Sequence, residues 1–140
     1  MKKLLLLACI VFMFGCDKND NNGKSKYYPV DYTIPASQMT HLETTGYPNI
    51  VLRSHEVGET LGCDGLVLVY LDGEIIAFDA ACPVEWTPGI ILWHHDPSSY
   101  YIFECSVCGN KFLLNEGGVS TTDKSLKLKK YKVKGNKVTN

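Results

Sequence analysis

The chain has 140 residues, of which 45% are hydrophobic, and a formal net charge of −1 at pH 7. That length suits one domain with a modest core and leaves no room for a cofactor domain joined to a separate catalytic one. The charge is unevenly divided: residues 27–110 carry 11 Asp/Glu and one basic residue, Arg53, while from Lys111 onward eight lysines face only Glu116 and Asp123. An acidic body with a basic final segment argues against nucleic acid, whose backbone needs a basic face around the binding residues.

At the N-terminus Lys2 and Lys3 precede an apolar run of 11 residues, Leu4 to Phe14. This length fits the apolar stretch of a secretory signal and is short for a membrane-spanning helix. The run ends in Phe14-Gly15-Cys16, which resembles the lipobox of bacterial lipoproteins, although Met13 and Phe14 are bulkier than the residues usual there. The resemblance implies that residues 1–15 are a signal cut away before Cys16, and that Cys16 carries the lipid. It further implies a lipid-anchored protein of the bacterial cell envelope, periplasmic or surface-exposed, with the membrane as a partner. The alternative is an ordinary secretory signal with an incidental cysteine. Residues 17–26 (DKNDNNGKSK) contain no apolar side chain, so they are expected to form a flexible tether. Without the signal the chain carries 12 basic and 15 acidic residues.

Residues 27–140 read as one β domain. A weak helical turn is expected at Pro35 to Leu42, then a strand at Ile50–Arg53. Leu66–Leu71 and Glu74–Phe78 flank Asp72-Gly73, the strongest local signal for a hairpin, because a type I′ turn needs positive φ at both central residues. Further strands are expected at Ile90–Trp93, Tyr100–Glu104 and Phe112–Leu114, with a turn at Asp96–Ser99. Lys127–Val133 should form another, turning at Gly135-Asn136 into Lys137-Val138. Many short strands with frequent turns predict an all-β antiparallel sandwich or small barrel. The lysines of the last segment are expected to fold back on the acidic body or to guard a sheet edge; the alternative is a docking role for the acidic face.

Six cysteines are encoded. Cys9 lies in the signal and Cys16 is the expected lipid carrier, leaving Cys63, Cys82, Cys105 and Cys108. An even number in an exported domain is first a disulfide signal with three possible pairings. A Cys82–Cys105 bond would close a loop of 22 intervening residues, worth about 3 kcal/mol by chain entropy. Against this, Cys105-Ser106-Val107-Cys108-Gly109 has the form of a metal knuckle. Two intervening residues let one turn aim both sulfurs at a single ion, and the glycine tolerates the backbone that donates N–H groups to them.

Together these segments resemble a Rieske [2Fe–2S] domain. The resemblance covers Leu66 to Val133: the hairpin, "AFDAACP" with Cys82-Pro83-Val84, "CSVCGNKF" with Gly109 and Phe112 in register, the glycine turn "NEGG", and a closing "LKLKKYKV". It implies a Rieske-like fold with a ligand-loop subdomain and a one-electron carrier holding [2Fe–2S] through Cys82, Cys105 and Cys108, served by a redox protein partner. Two features depart from the family pattern of Cys-x-His and Cys-x-x-His, since Val84 and Cys108 stand at the histidine positions. Val84 cannot ligate; Cys108 can, and a thiolate there would lower the potential, towards roughly −400 mV for an all-cysteine set. The gap between the two loops is also longer than usual, and residues 120–123 replace the proline loop that normally covers the cluster. Candidate fourth ligands are Cys63, in a glycine-flanked turn, and His94 or His95, between the two loops. Cys₃His or Cys₄ sets hold [2Fe–2S] or tetrahedral zinc alike. A cluster-free domain held by disulfides or zinc, with a binding or structural role, remains the alternative. No Ser-His-Asp, paired-carboxylate or phosphate-loop signature stands out, so the expectation is a protein that is not an enzyme.

Overall fold

The computed structural model describes residues 28–54, 58–85, 92–96 and 99–140, with the side chains of 93–96 outside that description. The expected signal, Cys16 and the tether also lie outside the described residues. The architecture is all-β, as the strand periodicity predicts, with one short helix.

The hairpin forms at its expected place. Strands β3 (Gly65–Leu71) and β4 (Glu74–Asp79) pair antiparallel across Asp72 and Gly73, whose φ values are 51° and 87°. They sit inside a six-stranded sheet with β1 (Asp31–Thr33), β2 (Asn49–Leu52), β9 (Lys130–Lys134) and β10 (Lys137–Thr139), in the order β1-β10-β9-β4-β3-β2. A second sheet runs β5-β6-β7-β8, from β5 (Leu92–Asp96), β6 (Ser99–Cys105), β7 (Lys111–Leu113) and β8 (Val119–Ser120).

β3 reads as a continuous apolar run because both of its faces are covered. Leu66 and Leu68 pack with Ala77, Tyr131, Val138 and Leu42, the buried residue of helix α1 (Ala36–Thr45). Val67 and Val69, on the opposite face, pack with Phe78 and with Leu92, Phe103, Phe112 and Leu114 of the second sheet and its adjoining turn. The second core includes Cys82 and Cys105. It therefore joins the two sheets at the place where the cysteines arrive. Among the described residues no helix is long and apolar enough to cross a membrane.

Several boundaries differ from the expectation. β9 begins at Lys130 and not at Lys127, because residues 126–128 are tied to the second sheet instead: Ser120 N–H donates to the Leu126 carbonyl at 2.9 Å and Leu128 N–H to that of Gly118 at 2.9 Å. The helix extends past Leu42 to Thr45, ended by Gly46 at φ 69°. β5 runs from Leu92 to Asp96, with residues 90–91 of the expected strand outside the described residues. The lysine-rich segment covers one edge, where Lys127 bridges Val119 of β8 at the end of the small sheet, but its β9 and β10 lysines guard none. β1 and β2 are the edges of the large sheet, and β9 and β10 lie inside it. Ion pairs do tie parts of this segment to acidic residues, as Lys137 with Asp31, Lys124 with Glu116 and Lys111 with Glu104.

Candidate metal centre

Two loops from different sheets meet at the candidate site. The first leaves β4. Ala80 N–H donates to the Gly65 carbonyl at 3.0 Å, and Leu92 N–H to the Ala80 carbonyl at 2.9 Å, so the chain is fixed on both sides as it passes from the large sheet to the small one. Cys82 follows two residues later and is fully buried. Pro83 has no N–H to offer, but the N–H groups of Val84 and Glu85 turn back onto the Cys82 sulfur.

The second loop follows β6. Gly109 N–H donates to the Cys105 carbonyl at 2.9 Å, and Cys105 N–H to the Asn110 carbonyl at 3.0 Å, closing a tight turn. Gly109 has φ 69°, a backbone state that a side chain would strain. The turn places Cys105 and Cys108 beside Cys82. The three sulfurs lie within 4.8 Å of one another, with Cys82 Sγ 3.6 Å from Cys108 Sγ. A tetrahedral ion with bonds of 2.3 Å to sulfur separates its ligands by about 3.8 Å. The observed spread reaches that spacing with small side-chain rotations. Cys82 and Cys105 are buried, Cys108 is half-buried, and all three are free thiols.

The electrostatics differ between Cys82 and Cys108. Burial pushes Cys82 up to about 12, opposed by the N–H groups of Glu85 and Val84, with the neighbouring sulfurs adding to the rise. At Cys108 burial acts upward too, but the backbone N–H and side-chain amide of Asn110, together with the neighbouring Cys105 and Cys82 sulfurs, hold the thiol below its ordinary value. Asn110 Nδ2 donates to Cys108 Sγ at 3.3 Å. Its orientation is fixed from behind, since Thr122 Oγ1 donates to Asn110 Oδ1 at 3.0 Å and Thr122 is in turn 3.2 Å from the buried Ser120 hydroxyl. Ser120 and Thr122 belong to the segment that stands where the covering loop was expected. Here it orients a ligand-loop side chain. Thiols gathered in this way would lose their protons to a bound divalent cation.

Of the sequence candidates, Cys82, Cys105 and Cys108 come together and Cys63 does not. Cys63 lies outside the group and packs with Ala81 and Tyr28. Its sulfur is 3.9 Å from Asp64 Oδ2. Burial first, then the Asp64 and Asp79 carboxylates, push its thiol up to about 12. The structure thus does not bring Cys63 to the three other sulfurs, and the Asp64 and Asp79 carboxylates beside it oppose a thiolate more than Tyr28 and Arg53 favour one. His94 and His95 lie on β5, where His94 pairs with Phe103, and their side chains fall outside the described residues. Val84, which cannot ligate, is exposed.

One important group escaped the sequence reading. Asp79, the last residue of β4, is fully buried. It accepts from the N–H groups of Cys63 (2.8 Å), Ala81 (2.8 Å) and Asp64 (3.4 Å), and from the Tyr131 hydroxyl at 2.5 Å. Burial raises its carboxyl above the ordinary range despite these donors. The network clamps the 62–64 turn, the end of β4 and β9 together, three residues before Cys82. Its only sequence signal is an acidic residue inside an otherwise apolar strand-to-loop passage. For Asn110 the signal is a side-chain amide directly after Cys-x-x-Cys-Gly. No protein-family model, curated protein or solved structure matches the chain.

Proposed function

We propose that Cys82, Cys105 and Cys108 bind one metal ion as thiolates, in a protein held to the bacterial cell envelope by an acylated Cys16. The role is that of a structural or electron-carrying centre and not of an enzyme. The observation that carries this reading is the convergence of three sulfurs from two independently braced loops, each loop aiming amide donors at its own sulfur. Free cysteines gathered by chance in a core have no reason to share such donors. Soft thiolates select zinc or iron over harder cations. The compact spacing suits a single tetrahedral ion, whose fourth position falls to water or to a histidine such as His94 or His95.

A [2Fe–2S] cluster is the second reading. Its support is the order of the parts: a hairpin, a Cys-Pro loop leaving one sheet, and a Cys-x-x-Cys-Gly loop leaving the other, as in the Rieske domain that the sequence resembles. In that arrangement Cys82 and Cys105 would share one iron and Cys108 would belong to the second. The 3.6 Å approach of Cys82 to Cys108 is closer than ligands on separate irons would sit, which favours the single ion. A cluster would make the protein a one-electron carrier for a redox partner.

Anaerobic purification followed by zinc, iron and sulfide quantification separates the readings. About one equivalent of zinc or iron without sulfide supports the single ion. Iron with equal sulfide and a visible charge-transfer spectrum supports the cluster. A metal-free protein whose Cys82 is recovered in a disulfide would overturn both.

A further inference from the structure

The lysines of β9 and β10 are explained neither by the metal centre nor by edge protection, since both strands lie inside the large sheet. Lys130, Lys132 and Lys134 alternate along β9 and are exposed, while Tyr131 and Val133 between them face the helix-side core. Residues two apart on a strand share one face, so the three lysines form a row on one side of the sheet. The register adds Lys137 of β10 directly opposite Lys134, and Thr139 opposite Lys132. Like charges directly opposite on paired strands are destabilising, so the pairing has a cost within the fold. Lys137 is neutralised by Asp31, and Glu74 lies across the cleft that opens where β9 parts from β4. Four lysines against these two carboxylates leave the face positive.

The chain enters the domain beside this row. Asn140 Nδ2 donates to the Tyr28 carbonyl at 3.1 Å, and Val30 N–H to Asn140 Oδ1 at 2.6 Å. Asp31, at the start of β1, is paired with Thr139 of β10, which is paired with Lys132 of β9. Two strand spacings, about 10 Å, therefore separate the entry strand from the lysine row. Between Cys16 and Tyr28 there are 11 residues, whose contour reaches at most ~40 Å in any conformation. A domain on so short a leash meets the bilayer repeatedly, and the face nearest the point of attachment meets it first.

We infer that the lysine face of β9 and β10 rests on anionic phospholipid headgroups, setting the orientation of the anchored domain. This rests on the reading of Cys16 as the lipid carrier. A positive face held within reach of an anionic surface is attracted over a Debye length of ~8 Å at physiological salt.

The test uses the full-length acylated protein in vesicles of phosphatidylcholine alone or with about a third phosphatidylglycerol. Vesicles are floated, treated briefly with an amine-acylating reagent, and the lysines are read by mass spectrometry. Lys130, Lys132 and Lys134 should be labelled about threefold less on the anionic vesicles, relative to Lys111 and Lys124, and high salt should remove the difference. In the doubly charge-reversed variant Lys132→Glu/Lys134→Glu, protection of Lys130 should disappear while the protein still floats. Equal labelling on both vesicle types, with flotation intact, would overturn the inference and leave the anchor standing. A chain that does not float at all overturns the anchor, and this inference with it.

Discussion

Cys63 and Cys108 each sit beside a glycine in a tight turn of the same domain, yet their surroundings have opposite sign. Cys63 is buried against Asp64 and Asp79, which push its thiol up to about 12 after the effect of burial itself. Cys108 is met by the N–H and the amide of Asn110, which with the adjacent Cys105 and Cys82 sulfurs hold it below its ordinary value in spite of burial. A cysteine in a glycine-flanked turn is thus not a ligand by position. The groups that point at the sulfur bias whether a negative charge is tolerated there: carboxylates face Cys63, whereas N–H groups face Cys108 and, against its burial, Cys82.

The comparison can be broken most directly by exchanging the cysteines themselves. Cys82→Ser or Cys105→Ser should lower metal retention by more than ~100-fold, since each removes a ligand and not merely its support. Cys63→Ala should leave metal content unchanged. Metal analysis of the purified variants decides, and loss of metal on changing Cys63 would erase the distinction between the two turns.

Next in size is the turn that holds Cys63. A Cβ at Gly62 would stand 2.5 Å from Asp79 Oδ2 and 2.7 Å from the Tyr131 hydroxyl, on a backbone at φ 75°. Gly62→Ala should therefore cost about 2–4 kcal/mol in urea unfolding, combining strain with a disturbed buried carboxylate. Tyr131→Phe removes one donor to that carboxylate and should cost about 1–2 kcal/mol.

The same network makes a prediction with pH. Burial raises the Asp79 carboxyl above its ordinary value of 3.8, so the folded state holds this proton more tightly than the unfolded chain does. Between the ordinary and the raised value, stability from this group falls as pH rises and then levels off once both states are ionised. The stability difference between wild type and Asp79→Asn should shrink across that interval as pH increases. A difference that grows with pH would mean that the donors around Asp79 outweigh its burial.

The smallest effects sharpen the comparison on the side of Cys108. Asn110→Ala deletes the amide that supports its thiolate and should weaken metal binding about tenfold. Thr122→Val acts only through Asn110 and should weaken it by less. Competition with a chromogenic chelator measures both.

Much of the fold was legible because its signals are local. Asp72-Gly73 between two apolar runs, and the Cys-x-x-Cys-Gly turn after a strand, each specify their geometry within a few residues. β1 gave no such signal: three residues become a strand only because β10, more than a hundred positions later, offers a partner. The start of β9 was misplaced for a related reason, since Leu126 and Leu128 have strand-like character but are drawn to Ser120 and Gly118 of the second sheet. At the site, the three sulfurs could be chosen from sequence. That Cys63 stays apart from them could not be, because it depends on how the 62–64 turn is held by the buried Asp79 carboxylate. Asn110 and Thr122 were missed because their roles depend on side-chain orientation and not on spacing.

The central claim is that three sulfurs from two loops share one ion. X-ray absorption at the edge of the bound metal, on protein purified anaerobically, tests it most directly. The account predicts a first shell with three sulfurs at about 2.3 Å and one lighter neighbour. A shell with fewer than three sulfurs, or one that keeps all its sulfurs in Cys108→Ser, would contradict it.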